Sequence, residues 1–133
     1  MIRLLLVAVL VLAFSAGAAQ ARGGDHGGGG GGDEVRVAGR CGQGVAASLR
    51  LRAGDRRIEV RFRLRQSHGR GAWRVAIVHE HRVSVRATRR TTRMEHSFEL
   101  RRMLPDLQGS DTVVVHAWGP RGAGCDAAGT LPG

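Results

Sequence analysis

Hydrophobic and polar residues alternate with a period of two along most of this chain. Val35 and Val37 are interleaved with Glu34 and Arg36, and Leu49 and Leu51 with Arg50 and Arg52. The longest run sets Ile58, Val60, Phe62 and Leu64 against Glu59, Arg61, Arg63 and Arg65. Trp73, Val75 and Ile77 then face one way while Arg74 and Ala76 face the other. Val83 and Val85 resume the pattern after a polar corner at His79-Glu80-His81-Arg82. Phe98 and Leu100 make a further short strand, and residues 112–118 the last strong one. Such alternation marks half-buried antiparallel strands, one face on a core and the other in water. The turn residues Ala53-Gly54-Asp55, Gly69 and Gly71 punctuate it. The one helical candidate is a turn at residues 101–104, ended by Pro105. The pattern predicts one all-β domain with Leu49, Leu51, Ile58, Val60, Phe62, Leu64, Trp73, Val75, Ile77, Phe98, Leu100, Val113 and Val115 inside.

The stretch ahead of the strands has a different character. Residues 1–3 are a short charged start, residues 4–14 an unbroken apolar run, and residues 15–21 are small, with Ala19 and Ala21 in A-x-A spacing. That order is a secretory signal cleaved after Ala21. The apolar run is shorter than the roughly 20 residues a membrane span needs. Residues 22–33, with the glycine run 27–32, have nothing to bury and read as a flexible linker. The expected divisions are therefore a signal at 1–21, a linker at 22–33 and a sandwich domain at 34–133, with the product secreted to an extracytoplasmic location. Export also decides the chemistry of the two cysteines. In an oxidising compartment Cys41 and Cys125 read as a disulfide, and two thiols are too few for a Cys₄ zinc site.

Two segments carry a family resemblance. Trp73 lies on a strand that follows the early strand 58–64, and Asp106-Leu107-Gln108-Gly109-Ser110-Asp111 leads into the run Thr112-Val113-Val114-Val115. Over residues 35–125 the chain resembles the immunoglobulin and fibronectin type III sandwich, which has a core tryptophan on a central strand. There, a D-x-x-G-x-Y corner introduces the penultimate strand. Here Asp111 stands at the tyrosine position and Val113 at that of the second core cysteine, so the disulfide would tie the first strand to the last. The whole is similar to small exported sandwich proteins of high-GC bacteria. The resemblance implies a single immunoglobulin-like antiparallel sandwich of seven or eight strands, and carries over no active site.

Charge adds a candidate surface. The 133 residues hold 21 basic and 11 acidic side chains, a net charge of +10. Every basic residue is Arg, and Lys, Asn and Tyr are absent. This is the codon bias of a high-GC genome, so part of the arginine stands where lysine would serve elsewhere. Even so, alternation puts Arg50, Arg52, Arg61, Arg63 and Arg65 on the solvent face of two neighbouring strands; Arg89, Arg90, Arg93, Arg101 and Arg102 follow later. The planar guanidinium suits phosphate, sulfate or carboxylate bidentately, and a dense array binds polyanions by counterion release. The competing role is a solvated face that guards sheet edges against aggregation. Nucleic acid is disfavoured as partner, because its readers interleave aromatics for stacking. Phe62, Phe98, Trp73 and Trp118 are instead mostly in core phase.

Histidines supply the alternative. His79 and His81 are two apart, and with His116, His96 or Glu95 as a third ligand they would hold Cu or Zn. Catalysis has no signature: there is no G-x-S-x-G, no H-E-x-x-H and no glycine-rich phosphate loop ahead of a helix. No enzyme activity and no cofactor are expected. The expected function is an exported non-catalytic interaction module whose Arg-rich face contacts an anionic envelope polymer or a protein, with Cu/Zn binding as the alternative.

Overall fold

A computed structural model describes residues 33–133, and the expected signal at 1–21 and all of the expected linker but Asp33 lie outside the described residues. The described chain is built of nine strands: β1 (Glu34–Ala38), β2 (Arg40–Cys41), β3 (Val45–Gly54), β4 (Arg57–Gln66), β5 (Gly71–His79), β6 (Arg82–Thr91), β7 (Ser97–Pro105), β8 (Asp111–Trp118) and β9 (Gly124–Leu131). They form two antiparallel sheets, of order β1-β3-β4-β7 and β2-β9-β8-β5-β6, packed as an all-β sandwich. The chain changes sheet at Gly39, so β2 continues β1 on the opposite layer. Counted as one interrupted strand, the pair brings the total to the eight that the pattern allows.

The core is the in-phase set that alternation defines. All thirteen residues named above are buried, joined by Leu104, Ala117, Cys125, Ala127 and Leu131. Trp73 is fully enclosed against Phe98, with ring centroids 6.4 Å apart. Its indole Nε1 donates to Gln66 Oε1 at 3.2 Å, and Thr91 Oγ1 donates to the same oxygen at 3.0 Å. The polar group that the ring carries inside is thereby satisfied.

Two local readings are corrected, and one strand carried little signal. Residues 101–104 are strand, not a helical turn: Leu104 continues the phase of Phe98 and Leu100, with only Arg102 out of character. β7 is an edge strand, where Pro105 costs no ladder bond and an inward-phase Arg102 guards against a further strand. β9 has no strong hydrophobic signal because small residues fill its inner positions; a Cβ on Gly129 would sit 3.0 Å from Leu51 Cδ1. Trp118 is not in core phase. With Val113, Val115 and Ala117 pointing in, it points out, and it is 48% exposed.

The disulfide forms as expected, between directly opposed residues of β2 and β9 with Cα atoms 4.1 Å apart. It therefore links neighbouring strands of one sheet rather than the two layers.

Candidate functional site

The outer face of the four-stranded sheet is where register matters most. β1, β3, β4 and β7 pair so that Arg36, Arg50, Arg61 and Arg101 stand side by side in one row. With strands about 4.8 Å apart, the row spans roughly 14 Å. The rows on either side hold Glu34, Arg52 and Glu59, and Ser48, Arg63 and Glu99. Arg65 follows one row further on. All five arginines that the sequence nominated thus share one face, and the structure adds Arg36 and Arg101. Alternation gave the phase of Arg36 but not its lateral neighbour, and Arg101 lay in the segment read as a turn.

Like charges directly opposite one another destabilise a sheet, so the flanking acids have a structural task. Glu34 bridges Arg36 at 2.8 Å and Arg50 at 2.7 Å. Glu59 bridges Arg101 at 2.8 Å and Arg61 at 3.2 Å, and Glu99 bridges Arg63 at 3.0 Å and Arg61 at 3.4 Å. Hydrogen bonds from Arg36 and Arg50 hold the Glu34 carboxyl below its ordinary value. Partial burial would raise Glu59, but the Arg101 hydrogen bond and the Arg101, Arg61 and Arg50 charges bring it below. Three carboxylates thus serve five guanidiniums, and Arg52 and Arg65 make no ion pair among the described residues.

Within this face lies a depression of about 260 Å³, lined by Arg36, Ser48, Arg50, Arg61 and Arg63 around Leu49. The Nε groups of Arg50 and Arg61 are shielded from water and have no hydrogen-bond acceptor. Carboxylate oxygens nevertheless lie beside both, Glu34 Oε1 2.7 Å from Arg50 Nε and Glu99 Oε1 3.4 Å from Arg61 Nε. Around the β7 edge, Arg63 and Arg65 also border a wider hollow shared with Arg89, Arg90 and His96.

The histidines do not gather as a trio. His79 faces inward opposite Val113, whereas His116 faces outward opposite Ala76, on the other side of the sheet. His81 is exposed in the β5–β6 turn, where Glu80 and His81 both have positive φ, 49° and 65°. Two such residues give the type I′ geometry that suits a two-residue hairpin. The structure assembles a different group, His79 with Glu80 and Asp111, whose ligand atoms lie within 4.8 Å of one another.

These three groups are already occupied. His79 Nε2 donates to Asp111 Oδ1 at 2.7 Å, and the Leu107 N–H donates to the same oxygen at 3.2 Å. Glu80 accepts the Thr112 N–H, and its own N–H donates to the Thr112 carbonyl at 3.1 Å. Burial would raise Asp111, but hydrogen bonds from His79, Asp106 and Leu107 prevail and hold it below its ordinary value. The bond to Asp111 holds Asp106 above its own. The constellation locks the β5–β6 turn onto the loop before β8. Sequence reasoning placed Asp111 at a corner but had no means of bringing His79 to it.

On the outer face of the five-stranded sheet, Trp118 stacks on His116 with centroids 5.8 Å apart and planes at 29°. His116 in turn is bonded through Nδ1 to Asp126. No helix among the described residues is long and apolar enough to cross a membrane. No family model, curated protein or solved structure matched this chain.

Proposed function

We propose that this chain is an exported, non-catalytic binding module of the immunoglobulin or fibronectin type III kind. In this reading it holds a phosphate-bearing envelope polymer across its four-stranded sheet. The observation that carries the binding role is the row Arg36, Arg50, Arg61 and Arg101, flanked by Arg52, Arg63 and Arg65, on a face where only Glu34, Glu59 and Glu99 offset the charge. A guanidinium pairs two N–H groups with two phosphate oxygens, and a row of them matches a chain of anions better than a single one. Among the described residues nothing aromatic projects from this face, so bases would find no platform, and a sugar-phosphate or polyol-phosphate chain fits better than nucleic acid.

Three features support the fold kind. β3-β4-β7 against β9-β8-β5-β6 follows the order A-B-E against G-F-C-C′. Trp73 falls on the strand C position. Asp111 enters the penultimate strand and bonds back to the Leu107 N–H, as the corner tyrosine does to upstream backbone in that family. The metal-binding reading is weaker, because the histidines separate and the groups that do meet are engaged with one another.

The test compares R36Q/R50Q/R61Q with R40Q/R82Q/R121Q, which removes equal charge away from this sheet. Arg89 and Arg90 are unsuitable controls, since they border a hollow with Arg63 and Arg65. Binding to poly(glycerol phosphate) across a salt series should weaken in the first variant, its log–log salt slope flattening by roughly two to three. Equal weakening in both variants would leave only net charge and defeat the proposal.

A further inference from the structure

The opposite sheet carries a second feature, independent of the arginine row. Of the four aromatic residues in the described chain, Phe62, Trp73 and Phe98 are buried, and Trp118 is 48% exposed. Its indole is not a loose surface group. His116 stacks against it, and Asp126 fixes the His116 ring. Register then places Arg74 beside Trp118, with Thr88 one strand further. In the adjoining row Ala76 lies between His116 and Arg86. The small Ala76 side chain leaves a hollow of about 530 Å³ walled by Trp118, Arg74, Arg86 and Thr88. That is within the size range of small-ligand sites. Arg74 and Arg86 are exposed and make no ion pair or hydrogen bond among the described residues.

We infer that this hollow is a binding site for an acidic saccharide, a pyranose ring bearing a carboxylate. An indole face is apolar with a negative quadrupole, and the C–H groups on one face of a pyranose cover it while the hydroxyls stay wet. Arg74 and Arg86 supply guanidinium forks for the carboxylate, within reach of the ring that Trp118 holds. A phosphate chain would leave the indole uncovered. A nucleobase would meet no second ring to enclose it, because His116 already stacks on Trp118. Thr88 provides a hydroxyl at the far wall.

The test titrates trigalacturonate into the full chain and follows binding by calorimetry and by tryptophan fluorescence. Trp73 is fully buried, so a saturable emission change reports Trp118. Losing a charge-assisted pair should weaken binding about tenfold or more, so R74Q/R86Q should bind at least tenfold more weakly. The methyl-esterified trimer should do the same with unaltered protein. W118A should abolish binding while W118F retains part of it, and far-UV spectra and melting curves will show whether each variant folds. If W118A does not fold, W118L serves instead, covering Ala76 without a ring face. R36Q/R50Q/R61Q should leave the tryptophan-emission titration at Trp118 unchanged. Absence of saturable binding, equal binding by a folded W118A or W118L, or loss confined to R36Q/R50Q/R61Q would overturn the assignment. Equal competition by oligothymidylate would also overturn it, in favour of a nucleic-acid surface.

Discussion

Gly119 joins the inner and outer tryptophans, and replacing it with alanine is a sharp test of the packing. Its backbone is extended, with φ −111° and ψ −174°, a conformation open to any residue. Glycine is required there for space. A Cβ would lie 2.5 Å from Trp73 Cε2 and Cζ2 and 2.6 Å from Cη2. Favourable carbon contacts fall at about 3.5–4.0 Å, so ring or strand must move by about 1 Å. Trp73 has little room to yield, being enclosed, packed on Phe98 and hydrogen-bonded to Gln66. Overpacking costs about 1–3 kcal/mol and sometimes more, and this contact belongs at the upper end. For a domain of this size, a cost near 3 kcal/mol lowers the melting temperature by about 10–20 °C. Urea and thermal melts of G119A should show it. The clashing atoms belong to the six-membered ring of the indole, which phenylalanine does not place there. W73F/G119A should therefore be more stable than the two single losses add up to, by about 1 kcal/mol or more. A G119A cost under about 0.5 kcal/mol, or strict additivity, would refute the reasoning.

Two further outcomes follow from the corner and the disulfide. The Asp111 carboxyl is lower in the folded state than its ordinary value of 3.8, so its contribution is present above that pH and disappears as acid carries the solution through the folded value. D111A, which strands His79 and the Leu107 N–H, should cost about 1–3 kcal/mol near neutrality. It should also flatten the acid limb of a stability–pH curve; an unchanged limb would assign the acid sensitivity elsewhere. Asp106, held high by its bond to Asp111, acts in the opposite sense, its contribution fading as pH rises. Reducing the Cys41–Cys125 bond, whose partners are 84 residues apart, should remove about 4–5 kcal/mol in the chain-entropy view. Urea midpoints of oxidised protein and C41S/C125S measure this, and a difference under about 1 kcal/mol would contradict it.

The sequence by itself determined which side chains face inward on the strong strands and that Arg50, Arg52, Arg61, Arg63 and Arg65 face water. Side-chain direction in a strand is a local property with a period of two, so polarity along the chain reports it directly. It failed where that contrast was weak or broken: in β9, whose inner positions are Ala, Gly and Cys before Leu131, and at Arg102, which disguised β7 as a possible turn. Only the tertiary structure decided lateral neighbours. The row from Arg36 to Arg101 exists because four strands share one register, and a slip of one residue would turn a strand's arginines into the core. His79 meets Asp111 rather than His116 because β5 and β8 pair with those residues on opposite faces. Trp118 points outward because the inner phase of β8 belongs to Val113, Val115 and Ala117, beside an indole that already fills the core. Such pairings join residues distant along the chain, and the free energy that selects them resides in the packed sandwich as a whole.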